Sequence, residues 1–301
     1  MYDLIIIGAG PAGITAAVYS ARKKMNFLVI TNSNIGGQAA WSGDIENYTG
    51  YQFITGPDLA SKFEEHMRRY KFDIKDAEEA TALKKADGFI QVETNKSRYE
   101  AKTVIISSGK ISKRLNVPGE KEFKNRGVTY CATCDAPIFS GKDVAVIGGG
   151  NSALDAAIQL VKIAARVYLI NINPRLGGDP VMREKVEKSS IVKIMNEAHV
   201  TAIGGDKFVK WIKVKKAGAE ETVKVEGVFI EAGLLPNSGF ANDIDKNEHK
   251  EIMINSRNET NVPGIFAAGD VTDVPEKQIV IAAGEGSKAA LSAFKYLNKT
   301  R

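Results

Sequence analysis

One pattern occurs twice in this chain and leaves few folds open. It is a run of branched apolar residues, a glycine-rich turn, an alanine-rich helix and a second apolar run. The first copy reads Asp3-Leu4-Ile5-Ile6-Ile7, then Gly8-Ala9-Gly10-Pro11-Ala12-Gly13, then a helix ending near Arg22-Lys23-Lys24 and a strand at residues 27 to 31. The second reads Asp143-Val144-Ala145-Val146-Ile147, then Gly148-Gly149-Gly150-Asn151-Ser152-Ala153, then a helix through about Ile163 and a strand at residues 167 to 170. Such unbroken apolar runs suit strands buried on both faces of a parallel sheet. The basic residues that close the first helix suit a helix C-terminus.

Each turn has the same physical logic. The first glycine (Gly8, Gly148) allows a tight bend, and the second (Gly10, Gly150) lets the backbone approach a pyrophosphate. The third position (Gly13, Ala153) must be small so that helix and strand can pack. The helix starts at Pro11-Ala12 and Asn151-Ser152 then offer free N–H groups and a positive dipole end to phosphates. A lone match of this kind also occurs as a glycine turn in unrelated α/β sheets. Two matches, each in strand–turn–helix–strand context, imply two dinucleotide sites.

The tail carries a third marker, Pro263-Gly264-Ile265-Phe266-Ala267-Ala268-Gly269-Asp270, a short apolar strand ending in Gly-Asp. An Asp there can accept hydrogen bonds from the ribityl hydroxyls of a flavin. A helix starting near Gln278 could place its positive end on the flavin ring and stabilise an anionic reduced form. The cofactor implied is FAD, because FMN lacks the adenosine half that a dinucleotide site is shaped to hold. The expected fold is α/β, with two Rossmann-like dinucleotide-binding domains, the second inserted in the first. Residues 1–113 and 242–301 would form the discontinuous FAD-binding domain, and residues 114–241 the inserted nucleotide-binding-like domain.

Composition narrows the function classes. The chain has 301 residues, enough for two domains, and its 41 Lys and Arg against 36 Asp and Glu leave a net charge of only +5. The charges are scattered, with no basic stripe of interleaved aromatics, so nucleic acid is not an expected partner. Leu4 to Ala21 carries no charge, but glycine interrupts it too soon for a membrane span, and no basic segment precedes it. The chain therefore reads as cytoplasmic. Its only two cysteines lie three apart, and the three histidines are isolated from them, so neither a disulfide framework nor a zinc set is expected.

Those cysteines, Cys131-Ala132-Thr133-Cys134-Asp135, lie before the second glycine turn. A Cys-x-x-Cys pair closes a small ring whose disulfide forms and breaks readily. One thiol attacks a substrate disulfide and the other resolves the mixed disulfide. An adjacent acid can hand over and retrieve the proton, and Asp135 is the candidate, with no histidine near in sequence. The alternative is a pair of buried cysteines with no redox role.

Taken in order, these motifs, with Gly36-Gly37-Gln38 and Glu46-Asn47, resemble low-molecular-weight thioredoxin reductases along the whole chain. Lys277-Gln278-Ile279 and Gly284-Glu285-Gly286 are also similar to the reductase portion of the alkyl hydroperoxide reductase flavoprotein. That flavoprotein has an extra N-terminal thioredoxin-like region. Here the chain starts at the flavin-binding strand, so the resemblance implies a separate thioredoxin-like acceptor, together with a homodimer. It also implies that Gly8, Gly10, Ala12 and Gly13 hold the FAD pyrophosphate. Gln38, Asn47, Asp270 and Gln278 would contact the flavin or its ribityl chain, with Pro11, Gly37, Gly109, Gly269 and Ile279 in the same cofactor set. Cys134 would face the flavin, Cys131 would attack the partner disulfide, and Asp135 would move the proton.

One departure bears on the electron donor. NADPH-using members carry a His-Arg-Arg group and a further Arg after the strand that follows the second turn, and the matching stretch here is Asn171-Ile172-Asn173-Pro174-Arg175. An NADH site would favour an acidic residue there, and Asn171 is not one. Gly148, Gly150, Asn151, Ser152 and Ala153 could still cradle NADH or NADPH, and reduced ferredoxin is the other donor in view. Three functions stay open: a thioredoxin-disulfide reductase, the flavoprotein of a peroxide-reducing system or an NADH oxidase, and a flavin sensor that does not turn over.

Overall fold

The computed structural model describes residues 1–32 and 35–299. The chain divides into two compact units, Met1–Ile111 with Leu235–Arg301, and Ser112–Leu234. Each unit is α/β and is built around a parallel sheet.

In the first unit, strand Tyr2–Ile7 lies between Phe27–Thr31 and Arg98–Ile106, parallel to both. Asp73–Asp76 extends the sheet beyond Phe27–Thr31, and Ile265–Ala267 pairs in parallel with the end of Arg98–Ile106. Strands thus run outward both ways from the first one, and in such sheets ligands bind beyond the carboxyl ends of the central strands. The start of Arg98–Ile106 instead takes an antiparallel hairpin, Ala80–Lys85 with Ile90–Thr94.

Alternation along these strands builds two cores. Leu4, Ile6, Phe27, Val29 and Ile105 pack with the alanines of helices Pro11–Arg22 and Ile279–Lys299. Ile5, Ile7, Leu28, Ile30, Val104 and Ile106 pack with the hairpin and with Phe240, Ile244, Ile252 and Val271. Fully burying one such side chain contributes about 1.5–3 kcal/mol. The uncharged run from Leu4 to Ala21 is thus a strand, a turn and most of a helix.

The sequence reading assigned residues 235–241 to the inserted part, and the structure assigns them to the first unit. Phe240 and Ala241 are buried in its second core, and the Phe240 carbonyl accepts the Leu83 N–H at 3.2 Å. The crossings fall after Ile111 and before Leu235.

The second unit orders its parallel strands Val128–Thr129, Gly227–Ile230, Asp143–Ile147, Arg166–Ile170 and Val192–Met195. Helix Asn151–Val161 packs on Val144, Val146, Val167, Leu169 and Phe229. An antiparallel sheet, Ala198–Gly205, Val209–Lys216 and Ala219–Lys224, covers Ala145, Ile147, Ile170, Val228 and Ile230 on the other face. Among the described residues, no helix is long and apolar enough to cross a membrane. Among the same residues, no group of three or more His, Cys, Asp or Glu could hold a metal ion.

Candidate active site

Cys131 and Cys134 form a disulfide, with Cα atoms 5.4 Å apart. Ala132–Asp135 is a single helical turn capped by Cys131, whose Sγ accepts the Cys134 N–H at 3.2 Å. Cys131 is half-buried and Cys134 is exposed. The Thr129 hydroxyl donates to the Asp135 carboxylate in a short bond and accepts the Cys131 N–H at 3.2 Å. One side chain thus ties the acid to the backbone of the first cysteine.

Two further groups hold this loop. Thr133, between the cysteines, donates its hydroxyl to Gln159 Oε1 at 3.0 Å, and Gln159 Nε2 donates to Asp155 Oδ2 at 3.0 Å. Both partners lie on the helix after the second glycine turn. From the other side, the Tyr130 hydroxyl donates to buried Glu120 at 2.6 Å. Glu120 also accepts the N–H groups of Leu115 and Asn116, at 3.0 and 2.5 Å. Burial, and then the bond to Glu120, push the Tyr130 phenol well above its ordinary value, so its hydroxyl stays a donor.

The first glycine turn has the shape an anion needs. Gly8 bends at φ +106°, and a Cβ there would lie 2.3 Å from the Ser107 carbonyl oxygen. A Cβ on Gly13 would lie 1.8 Å from the Gly8 carbonyl oxygen, whereas one on Gly10 would meet nothing within 4 Å. Gly10 caps the helix that Pro11 opens and makes no side-chain cap, so the first-turn N–H groups are left for a ligand. Three distant segments converge on this start. A Cβ on Gly37 would lie 2.9 Å from Gly10 Cα, one on Gly269 2.9 Å from Ala12 Cβ, and one on Gly286 2.0 Å from the Ala12 carbonyl oxygen.

Asp270 follows Gly269, and its carboxylate makes no hydrogen bond with the described residues. Burial raises its pKa, and Lys277 and then Lys110 pull it back. Gln38 Nε2 donates to the Lys110 carbonyl at 2.5 Å, and Asn47 Nδ2 donates to Gln278 Oε1 at 3.1 Å. Gly109, at φ +63°, accepts the Asn237 N–H at 2.9 Å. Ile279 begins the C-terminal helix and packs against Ile45, Ile54 and Leu59. A half-buried acceptor that makes no hydrogen bond with the described residues and an open cradle at Gly10 fit a dinucleotide with a polyol chain.

The second turn repeats the backbone and changes the surroundings. Gly148 bends at φ +144° against the Glu231 carbonyl, and a Cβ on Gly150 would meet nothing within 4 Å. Gly150 caps helix Asn151–Val161 without a side-chain bond; Asn151 and Ser152 are exposed and Ala153 is buried. Gly177 N–H donates to the Gly149 carbonyl at 2.8 Å and Asp179 N–H to Asn151 Oδ1 at 2.7 Å, which draws residues 177–179 onto the turn. Asn171 is 1% exposed and engaged in its own bend. Its Nδ2 donates to the Asn173 carbonyl and to Asn196 Oδ1, and its Oδ1 accepts the Asn173 N–H. Arg175 is exposed, and Arg183 Nε is buried without a hydrogen-bond partner among the described residues. Burial, and then Asp155, raise the Glu231 carboxyl to about 8.

The structure adds residues that sequence reasoning missed. Thr129 lies only two positions before Cys131, but nothing in its spacing marks it as the partner of Asp135. Glu120, Gln159, Asp179 and Glu231 each gain meaning only from the segments that fold beside them. Lys110 and Glu251, paired at 3.1 Å, are 141 positions apart.

A family model described as pyridine nucleotide-disulphide oxidoreductase matches residues 2–286. The F subunit of alkyl hydroperoxide reductase from Xanthomonas campestris pv. phaseoli is 43% identical, over 99% of this chain and 58% of that protein. The chain spans slightly under three fifths of the length of the curated relatives it matches. Among solved structures, thioredoxin reductase of Lactococcus lactis in its FR conformation superposes with a TM-score of 0.94 and 33% identity, covering 99% of this chain and 100% of that one. Thioredoxin reductase of T. acidophilum superposes at 0.92 with 39% identity, covering 100% and 99%.

Proposed function

The chain belongs to the pyridine nucleotide-disulphide oxidoreductase family, and on that premise we propose that it is an FAD-dependent disulfide reductase serving a thioredoxin-like acceptor through Cys131 and Cys134. The observation that carries this reading is the Cys131–Cys134 disulfide with Asp135 held beside it by Thr129. FAD, when bound, would supply a ring that takes two electrons from a donor and yields them to a disulfide. The N–H groups after Gly10 would hold its pyrophosphate, Asp270 would accept from its ribityl hydroxyls, and Gln38, Asn47 and Gln278 would lie along it. Gly37, Gly109, Gly269 and Ile279 would shape the same cavity.

Once the pair is a dithiol, the Cys131 thiolate attacks one sulfur of the partner disulfide and expels the other as a thiolate. The Cys134 thiolate then attacks Cys131 Sγ, re-forming the ring and releasing the second partner sulfur. Asp135 would give each leaving sulfur its proton and receive the protons of the dithiol. The Cys134 N–H on Cys131 Sγ favours a thiolate there, which supports Cys131 as the attacking sulfur. Cys134 is then the sulfur that exchanges electrons with the flavin.

The donor reading follows from the second turn. Gly150 leaves room for a pyrophosphate, but Asn171 is engaged in its bend and Asp179 brings a carboxylate to the loop over the turn. This favours NADH or reduced ferredoxin over NADPH. The 43% identity to a component of alkyl hydroperoxide reductase supports a peroxide-reducing system as the second acceptor reading. The test is anaerobic flavin reduction with NADPH, NADH and reduced ferredoxin side by side, followed by turnover with thioredoxin against oxygen alone. One FAD per chain and thioredoxin turnover well above the oxygen rate are expected. A protein that purifies without flavin would end the reading.

A further inference from the structure

Beside Asp270 two lysines share one carboxylate. Lys110 Nζ and Lys277 Nζ each lie 3.1 Å from Glu251 Oε1. The Lys110 and Glu251 side chains are 14% exposed and that of Lys277 is 23% exposed. Asn247 Nδ2 donates to Glu251 Oε2 at 2.8 Å and fixes the carboxylate from behind. Lys277 also donates to the carbonyls of Thr272 and Val274, at 2.6 Å each. Those carbonyls belong to the turn carrying Asp270, which is closed by the Thr272 N–H and hydroxyl on the Gly269 carbonyl. The Ile252 N–H donates to the Val271 carbonyl at 2.9 Å and binds the residue after Glu251 to the same turn.

Two positive charges and one negative leave this group one positive charge in excess. The nearby acid that makes no hydrogen bond with the described residues is Asp270. We propose that Glu251 is a positioning residue that clamps Lys110 and Lys277 beside Asp270, so that their ammonium groups keep Asp270 a charged anchor for the ribityl hydroxyls of FAD. The proposal deepens the flavin reading above and rests on it.

The electrostatics agree with the geometry. Burial alone would raise Glu251, but hydrogen bonds from Asn247, Lys110 and Lys277 outweigh it and hold the carboxyl at about 2. Glu251 therefore stays charged across the pH range tested below. For Asp270 burial wins, and the two lysines limit the rise. The charged groups around Asp270 are Lys277 from the segment before the C-terminal helix, Lys110 from the first crossing, Glu251 behind both, and Asp273 on the same turn, which accepts the Ile254 N–H. The helix start at Gly10 to Ala12 brings no titratable side chain.

The sign follows directly. FAD binding needs the charged form, so affinity is complete above the Asp270 pKa and is lost as pH falls through it. Removing one lysine takes away part of the pull against burial, so that pKa rises further toward the tested range. The test measures FAD release from the full-length holoprotein by flavin fluorescence on dilution, between about pH 5 and about pH 8. Wild type should change by less than about threefold, while Lys110→Met should weaken about tenfold or more toward the acid end. Lys110→Arg should restore the flat profile. Lys110→Met with Asp270→Asn should bind weakly and flatly, which identifies Asp270 as the titrating group. A Lys110→Met profile parallel to wild type would overturn the proposal, because bracing of the turn alone weakens binding equally at every pH. Wild-type protein with no affinity for FAD would instead overturn the flavin reading beneath it.

Discussion

The two glycine turns share a backbone and differ in what surrounds them. Gly8 and Gly148 both bend at positive φ against the carbonyl of the residue just after a neighbouring strand, and Gly10 and Gly150 both face open space at a helix start. Around the first turn, three segments bring Gly37, Gly269 and Gly286 against it, and the acid that follows, Asp270, has two lysines for company. Around the second, a loop closes through Asp179 onto Asn151, and the neighbouring acid, Glu231, faces another acid, Asp155. The backbone decides that a pyrophosphate can approach; the side chains around it decide which molecule is kept.

Four measurements separate the two turns and their surroundings. The largest effect should come from the redox pair, which belongs to the second unit alone. Cys134→Ser should lower thioredoxin reduction by about a thousandfold or more while the FAD content stays at wild type. Full turnover in that variant would remove the pair from the chemistry.

The donor site comes next. A 2′-phosphate normally takes two or three charge-assisted bonds of roughly 1.5–3 kcal/mol each, so without them NADPH should bind at least about a hundredfold more weakly than in a site with an arginine clamp. Stopped-flow flavin reduction across NADPH concentrations gives the answer. Saturation in the low micromolar range would mean that Arg175 or Arg183 serves as the clamp.

Alanine at the open glycine of each turn then separates the two sites. Gly10→Ala should weaken FAD binding about tenfold to a hundredfold with the fold intact, because its new methyl group occupies the phosphate's approach rather than a protein contact. Gly150→Ala should leave FAD untouched and slow only reduction by a nicotinamide donor. If neither variant changes binding, the turns are structural.

The smallest effect concerns Glu231. Burial raises its pKa from 4.5 to about 8, so the folded state keeps a proton that the unfolded chain releases. Its contribution to stability is complete below the unfolded value and is lost as pH rises toward the folded one. Between about pH 5 and about pH 8, Glu231→Gln should therefore lose less stability than wild type, by on the order of 1–2 kcal/mol after discounting for partial exposure. Thermal melts of both proteins across that range, at matched flavin content, provide the measurement, and parallel curves would show that Glu231 titrates normally.

Legibility in the sequence followed the range of the interaction. The strands and helices of both turns could be read because branched apolar runs, glycines and alanines act locally, and the Cys131–Cys134 pair because its two sulfurs lie within one short segment. The Asn47–Gln278 hydrogen bond joins residues 231 positions apart, yet a whole-chain resemblance placed both in the cofactor set. The boundary at residues 235–241 was misplaced because Phe240 and Ala241 are apolar enough for either core, and only the Leu83 N–H shows which one takes them. Thr129, Glu251 and Lys110 were not legible at all. A threonine, a glutamate and a lysine in ordinary polar stretches carry no pattern until the fold brings their partners near.

The contact of Gly286 with Ala12 has a consequence for biosynthesis. The residues of the first turn leave the ribosome long before those of the C-terminal helix that packs against them, and before strand Ile265–Ala267, which completes their sheet. In between, the whole of Ser112–Leu234 is made, with its own sheet and core. During translation the interrupting segment can therefore reach its native pairing first, while the strands that precede it wait with one edge uncovered. A nascent chain stalled once residue 234 has cleared the ribosomal exit tunnel, but before strand Ile265–Ala267 emerges, should show protease protection of the Cys131–Cys134 region but not of the first glycine turn. The first glycine turn is made before the interrupting segment and finished after it.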